Sequence, residues 1–402
     1  MNEKIEQRGG GAFVKSNTIF IVLVWLCSRI IVWVPAMVVA QHAGWQAFNR
    51  WDGPWYGQIA THGYDYAPNG QRHSVAFLPL FPLLASPLVH VGVPWAIAGT
   101  LVNTVAFFGA LFVVFDYVQR RAGRIAARWS VATLAFLPLS LFGSVAYSEG
   151  LYILCSALTL RAFDRERYAE AALFGLLSSA TRLTGLALAS GLLIAAFAER
   201  RGPRAVAAAL ASSLGAAAYA TFLAWRFGDP LASVHAQTAW RAAAGFDWAA
   251  WFEVLRMGFN DAKPVPQLIA LVLLVFWWFR LRSSLSIASF IVAAVIVAIE
   301  AWAWSYDAMT MLLIVGGTLA VLAFRKRLGV AACAYWLVTV AMLFLGGTPF
   351  SVDRNAYAVV PVIMAFGLAW VQLPSLGVAT LAAGAYGLAL DAAAFAAWKW
   401  VA

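Results

Sequence analysis

Apolar runs of about 20 residues recur along the whole chain, parted by short polar intervals. That is the length an α-helix needs to cross a bilayer, where every backbone group must be satisfied internally. The first run covers about Thr18 to Ala40 and opens onto a long polar interval, Phe48 to Pro82. Phe77 to Val93 is apolar but interrupted by Pro79, Pro82 and Pro87, which predicts a short re-entrant or interfacial segment. Further spans are expected at about Pro94–Tyr117, Ala126–Ala146 and Leu151–Ala162. The stretch Ala169 to Ala198 has basic clusters on both sides, so it reads as a hairpin of two short helices turning at Thr181-Arg182-Leu183-Thr184-Gly185. Ala205–Trp225 leads to a second long polar interval, Arg226 to Lys263. Six more runs follow: Pro264–Phe279, Leu285–Ala303, Tyr306–Phe324, Val330–Leu345, Tyr357–Val371 and Leu376–Trp398. The pattern predicts one all-α, polytopic membrane domain over residues 1–402, with about 11–13 transmembrane helices. Its first extracytoplasmic loop and re-entrant segment fall at 48–93, the second long loop at 226–263.

Composition agrees. Hydrophobic residues make up 63% of the 402 and charged ones 11%, less than half a soluble domain's share. A net charge of +10 raises nucleic acid as a partner, but its placement excludes that. The cations cluster between apolar runs, at Arg120/Arg121/Arg124/Arg128, Arg161/Arg165/Arg167, Arg200/Arg201/Arg204, Arg280/Arg282 and Arg325/Lys326/Arg327. This is the positive-inside pattern, so those loops are read as cytoplasmic. Cys27, Cys155 and Cys333 sit inside apolar runs as small hydrophobes, with no metal or disulfide spacing. The short basic N-terminus, with no small-residue cleavage site after it, is expected to stay inside and precede a retained first span.

With the basic loops inside, Asp52, His62, His73, Glu149, Arg182, Asp229, His235, Asp261, Asp307 and Arg354 share the opposite side. Polar groups near an apolar zone are costly and mark function. Asp52 precedes Gly53-Pro54, so it is either the N-cap of a short helix running to about Thr61 or a general base. Aromatic neighbours such as Trp51 and Tyr56 would disfavour its charged form and raise its basicity. Arg182 either snorkels, pairs with Glu149, or clamps a phosphate bidentately. Arg354 offers the same choice, with Asp353 as a neutralising neighbour, and Arg29 inside the first span reads as structural. His62, His73 and His235 lack metal-ligand spacing; each is a loop histidine or a partner for a substrate hydroxyl. Trp240 to Phe259 is either an interfacial aromatic belt or a platform for a sugar.

Phe48-Asn49-Arg50-Trp51-Asp52, Tyr56, Ile59-Ala60, Gly63-Tyr64 and Phe77-Leu78-Pro79-Leu80-Phe81-Pro82 resemble the signature of PIG-V-like mannosyltransferases, within the GT-C superfamily of polytopic glycosyltransferases. Looser matches are Tyr147-Ser148-Glu149-Gly150, Thr181-Arg182-Leu183-Thr184-Gly185, Gly228-Asp229-Pro230-Leu231 with His235-Ala236-Gln237 and Trp240, and Arg354 with Tyr357 and Pro361. The chain departs from the pattern at Asn355, where an aromatic after the arginine is more usual, and at Leu183-Thr184, where Asn more often stands near the glycine.

The resemblance implies inverting transfer of a sugar, typically mannose, from a polyprenyl-phosphate donor on the non-cytoplasmic side. It makes Asp52 the base and Arg182 or Arg354 the grip on the departing phosphate. Trp51, Tyr56, His62, His73, Glu149, His235 and Gln237 would surround the substrates. No metal or nucleotide cofactor is implied. Expected partners are the lipid-linked sugar, membrane lipids and a glycan, lipid or protein acceptor; the expected location is a bacterial inner membrane. Two rival classes remain. A lipid or solute transporter would carry polar groups at mid-membrane depth and on both sides. A non-catalytic membrane scaffold would use the aromatic loop as an anchor only.

Overall fold

In the computed structural model the chain folds as an all-α membrane protein. The structure describes residues 2–240, 245–253, 306–347 and 351–401. The expected spans Pro264–Phe279 and Leu285–Ala303, the Arg280/Arg282 pair and Asp261 lie outside the described residues.

Helix α1 (Asn2–Ala40) continues through a 3-10 turn, Gln41–Phe48, into the first polar interval. There the chain forms α2 (Gly53–His62), a short 3-10 turn at Ser74–Ala76, and α3 (Leu80–His90) as the proline-interrupted segment. Helix α4 (Trp95–Phe136) carries the next two expected spans end to end, with a break at Gly123, where φ is 86°. The second of them stops at Phe136, ten residues before its expected end at Ala146. Pro138 cannot donate to a continuing helix, and Pro138–Gly143 instead forms a buried 3-10 turn. Then come α5 (Glu149–Asp164), the hairpin α6 (Tyr168–Thr181) and α7 (Gly185–Ala198), α8 (Pro203–Ala211), α9 (Leu214–Phe227) and α10 (Ala232–Gln237). Downstream helices occupy Tyr306–Met311, Gly317–Ala323, Val330–Leu345, Val352–Tyr357, Val360–Gln372 and Pro374–Ala396.

By length and composition three segments can each cross a membrane: Ser16–His62, Trp95–Phe136 and Pro374–Ala396. Helices α8 and α9, bent by 41°, can make a fourth as a pair. Several other apolar helices fall short of a full crossing. At 14 residues, α6 and α7 each rise about 21 Å, against a hydrocarbon layer about 30 Å thick. A short turn joins them. Arg182 sits in that turn.

Close helix contacts hold the bundle. A Cβ at Gly191 of α7 would lie 2.6 Å from the Tyr335 backbone nitrogen, so α7 packs directly on Val330–Leu345. At Gly215 of α9 it would lie 2.1 Å from the Leu176 carbonyl of α6. The basic clusters, distant in sequence, meet at one end. Arg121 donates to Asp164 (2.6 Å) and to the Leu328 carbonyl (2.6 Å), and Arg201 donates to the Phe163 carbonyl (2.9 Å). Trp95, at the start of α4, instead touches the polar loop, donating to the Gly53 carbonyl at 2.8 Å. Twenty-six residues of helix, about 39 Å, separate Trp95 from Arg121. The basic end and the polar loop are therefore opposite ends of the bundle.

Candidate active site

Four segments far apart in sequence meet at the polar end. The first is the turn Asn49–Asp52. Trp51 adopts a left-handed backbone (φ 51°), and Gly53-Pro54 then starts α2 with proline in its favoured first turn. Tyr147 Oη accepts the Asp52 backbone N–H at 3.0 Å, and Trp95 Nε1 ties both Asn49 Oδ1 (3.1 Å) and the Gly53 carbonyl. Asp52 stands at the N-cap position, yet its side chain makes no capping bond. Its backbone is helical (φ −74°, ψ −23°) rather than extended, the geometry a capping side chain needs. The carboxylate turns to Arg354, whose Nη1 donates to Oδ2 at 2.8 Å. Asp52 also borders a cavity. Aromatic rings therefore share the space around this carboxylate with a guanidinium.

The second segment is Ser144–Gly150, where α5 begins. Arg29, fully buried in α1, places all five of its N–H donors here and next door. Nη1 donates to the Ser140 carbonyl (2.9 Å) and Ser144 Oγ (2.5 Å), Nη2 to Ser140 Oγ (3.0 Å) and the Ala135 carbonyl (3.4 Å), and Nε to Ser28 Oγ (3.3 Å). Asn103 Nδ2 donates to the Phe142 and Val145 carbonyls, and its Oδ1 accepts the Gly150 N–H. The segment so fixed carries Glu149, whose side chain is fully buried.

The third segment is the α6–α7 turn. Arg182 Nη1 donates to Glu149 Oε1 at 2.6 Å and to Ser148 Oγ at 3.3 Å. Gly185 closes the turn, since a Cβ there would lie 2.5 Å from Ser179 Cα. The fourth is the short helix Val352–Tyr357. Arg354 Nε stands 3.4 Å from Glu149 Oε1, an ion-pair contact rather than a hydrogen bond. Its Cζ lies 5.2 Å from the ring centres of Phe142 and Tyr147 and 5.8 Å from that of Trp400. Asn355 Oδ1 accepts from Arg182 Nη2 at 2.5 Å. Asn355 thus joins the two arginine segments.

These groups border a cavity of about 450 Å³. Asp52, Arg182, Arg354, Asn355 and Gln237 supply polar walls, and Tyr56, Phe77, Trp240 and Trp400 supply aromatic ones. Leu183, Val234, Met342, Leu343 and Leu345 make an apolar side. Gln237 Nε2 is held by the Ala76 carbonyl (2.9 Å), and Tyr56 Oη bonds Ser148 Oγ (3.0 Å). Glu149 lies behind this wall, bridging the two arginines without lining the cavity.

Trp51, His62, His73 and His235 do not line it. Trp51 packs edge-on against Trp398 and Trp400. His62 bonds its neighbour Thr61 at the end of α2. His73 pairs with Asp65 at 2.9 Å and His235 with Asp229 at 2.8 Å. Tyr66 links the two loops by donating to Asp229 at 2.8 Å. Burial pushes the Asp65 carboxyl up, but hydrogen bonds from Ser74 and His73 outweigh it and hold it below the usual carboxylate range. The bond from His235, aided by Tyr66, does the same for Asp229. Both pairs are local and legible in retrospect as a histidine a few residues from an aspartate. Trp400 and Asn355 were not foreseen. Trp400 follows the last apolar run, and nothing in the order of residues says that this tail folds back over the Asp52 turn, where Arg50 anchors it through the Ala396 carbonyl (3.2 Å). Among the described residues no group of three or more His, Cys, Asp or Glu side chains gathers to hold an ion.

No family model and no curated protein matches the chain. Solved structures do. The oligosaccharyltransferase of Archaeoglobus fulgidus in its apo form covers 95% of this chain, with a TM-score of 0.52 and 14% identity. The same values hold for that protein, AglB, with an inhibitory peptide and a dolichol-phosphate. Its complex with Zn and sulfate covers 94% at a TM-score of 0.50. This chain spans little more than half of the archaeal protein, 53–56% of its length. At that identity the likeness is one of fold: the chain shares the all-α architecture of the archaeal protein over the part it spans.

Proposed function

We propose that the protein is an inverting glycosyltransferase that moves a sugar, mannose by family resemblance, from a polyprenyl-phosphate donor to an acceptor hydroxyl. The observation that carries this is the Asp52 carboxylate beside two arginines at one cavity with an apolar side. Asp52 Oδ1 accepts the proton as the acceptor oxygen attacks the anomeric carbon. The bond from that carbon to the phosphate oxygen breaks, and its electron pair leaves on the lipid phosphate. Arg182 and Arg354 stabilise that charge where it develops. Arg354 also orients the base by holding Oδ2. One carboxylate suffices, because phosphate departs as a stable anion, whereas an inverting glycosidase needs a separate acid. The reading calls for no metal or nucleotide cofactor, since the guanidinium groups supply the positive charge. It sets the reaction on the non-cytoplasmic side, opposite the basic end, in a bacterial inner membrane. The archaeal oligosaccharyltransferase, solved with a dolichol-phosphate, supports a lipid-phosphate donor.

The test uses purified protein, labelled polyprenyl-phosphate mannose and a panel of hydroxyl acceptors. Wild type should transfer label. Asp52→Asn should fall by about 10²–10⁴-fold, the usual worth of a general base, with its thermal midpoint retained. Undiminished transfer by the Asn variant rules out the assigned base, and no transfer from any polyprenyl-phosphate sugar rules out the reaction.

A further inference from the structure

Beyond the last helix, Pro374–Ala396, the tail returns to the Asp52 turn and is pinned on both sides of Trp400. Before it, Arg50 donates to the Ala396 carbonyl (3.2 Å) and lies over the Trp398 ring, its Cζ 4.5 Å from the ring centre. After it, Val401 is buried, 2% exposed. The fold accepts an unfavourable backbone to do this. Trp398 is left-handed (φ 61°), as is Trp51 (φ 51°), whose ring meets those of Trp398 and Trp400 edge-on at 6.0 and 5.3 Å. The two tryptophans of the tail are put to different uses. Trp398 is 52% exposed and does not border the cavity, whereas Trp400 is partly buried and borders it. The Trp400 ring centre lies 5.8 Å from Arg354 Cζ, and Arg354 holds Asp52. An indole is thus presented where the carboxylate and the guanidinium meet.

We propose that Trp400 is a substrate-binding residue whose indole stacks on the ring of the transferred sugar. This rests on the reading of the site as a polyprenyl-phosphate-dependent transferase. In that reaction the anomeric carbon lies between the acceptor oxygen at Asp52 and the phosphate oxygen at the arginines. The sugar ring that carries this carbon must then rest against the wall beside Asp52 and Arg354, and Trp400 is part of that wall. A pyranose bears hydroxyls around its rim and C–H bonds on its faces, so a large uncharged ring suits a face, and a guanidinium suits the rim or the phosphate. The prenyl chain is matched instead by the apolar side of the cavity, Leu183, Met342, Leu343 and Leu345. Trp240, the other tryptophan of the cavity, packs with Phe77, Trp55 and Arg72 of the first polar interval.

The experiment uses a matched pair of ligands, farnesyl phosphate and farnesyl-phosphate mannose, which differ only in the sugar. Equilibrium binding of both to the full chain in detergent is measured for wild type, Trp400→Leu and Trp400→Phe. Trp400→Leu should bind the mannosylated ligand about tenfold more weakly, the scale of one aromatic contact, and the sugar-free ligand as wild type does. Trp400→Phe, which keeps a ring, should retain most of the affinity. Equal loss for both ligands makes Trp400 a packing residue of the Asp52 turn and overturns the proposal; so does unchanged binding of the mannosylated ligand. A second measurement needs no variant: hydroxyl-radical oxidation of wild type, read by peptide mass spectrometry. The mannosylated ligand should protect Trp400 more than farnesyl phosphate does and leave Trp398 as reactive as before. Equal protection of Trp400 by the two ligands overturns the proposal even where Trp400→Leu does not fold. Wild type that binds neither ligand sinks the transferase reading and this inference with it, a result distinct from a loss of sugar discrimination alone.

Discussion

Replacing Glu149 by Gln should destabilise the protein more than most single substitutions. Glu149 is fully buried, and one oxygen, Oε1, meets Arg182 Nη1 at 2.6 Å and Arg354 Nε at 3.4 Å. Those two nitrogens are thus no more than about 6 Å apart, and the carboxylate is what keeps the two cations together. Asp52, Glu149, Arg182 and Arg354 sum to zero charge; the isosteric amide leaves one excess positive charge in a largely buried site. At an effective dielectric of about 20, two charges at 6 Å repel by about 3 kcal/mol. Losing one partner of a buried ion pair costs about 3–5 kcal/mol, so the expected loss lies in that range. A double-mutant cycle makes the prediction sharp. Arg182→Gln alone strips Glu149 of its nearer partner, while Glu149→Gln with Arg182→Gln removes one charge of each sign and restores balance. Unfolding free energies of the four proteins, from denaturant titration in detergent, should show the double variant recovering at least about 1.5 kcal/mol of the summed losses. Single effects that add within about 0.5 kcal/mol mean that the three groups do not act as a unit, and the electrostatic account of the site fails.

Two further outcomes follow from packing and from the loop pairs. Gly215→Ala drives a Cβ to 2.1 Å from the Leu176 carbonyl and 2.5 Å from the Ala180 nitrogen, so it should cost at least about 1–3 kcal/mol. Gly109→Ala meets only Leu154 methyls at 3.5 Å and should be neutral or slightly stabilising, as alanine is in a helix; thermal midpoints of the two variants test the contrast. Asp65 and Asp229 have lowered folded values, so their stabilisation is complete above the ordinary aspartate value of about 3.9 and lost as pH falls through the folded one. Hydrogen exchange over residues 64–74 and 229–237 should therefore be equally protected at pH 7 and pH 5 and open in stronger acid; opening already between pH 7 and pH 5 would refute this account of the two aspartates.

Much of the fold was legible because hydrophobicity and charge are local signals. The α6–α7 hairpin turns where basic clusters on both flanks require it, and Val330–Leu345 begins and ends where its apolar run does. Boundaries failed where polar chemistry lies inside an apolar run. Ala126–Ala146 reads as one span, yet it stops at Phe136, just before Pro138, and in the turn that follows Ser140 and Ser144 receive Arg29. An apolar window cannot register that use of two serines.

The site divides along the same line, between residue type and partnership. Asp52, Arg182, Arg354 and Glu149 stand out because charge in an apolar chain is expensive, but expense does not say who meets whom. Asp52 and Arg354 are 302 positions apart, and their pairing exists only once the bundle has closed. The competing role for Asp52, helix capping, was credible because Asp-Gly-Pro supplies every local ingredient of a cap. What defeats it is tertiary: Tyr147 Oη and Trp95 hold the turn so that Asp52 takes helical dihedrals, and the carboxylate that would have bent back onto α2 is presented to a guanidinium and a cavity. The histidines show the converse. Of the three that could be loop histidines or substrate contacts, His73 and His235 pair with aspartates a few residues away, a short-range pairing that needs no cavity.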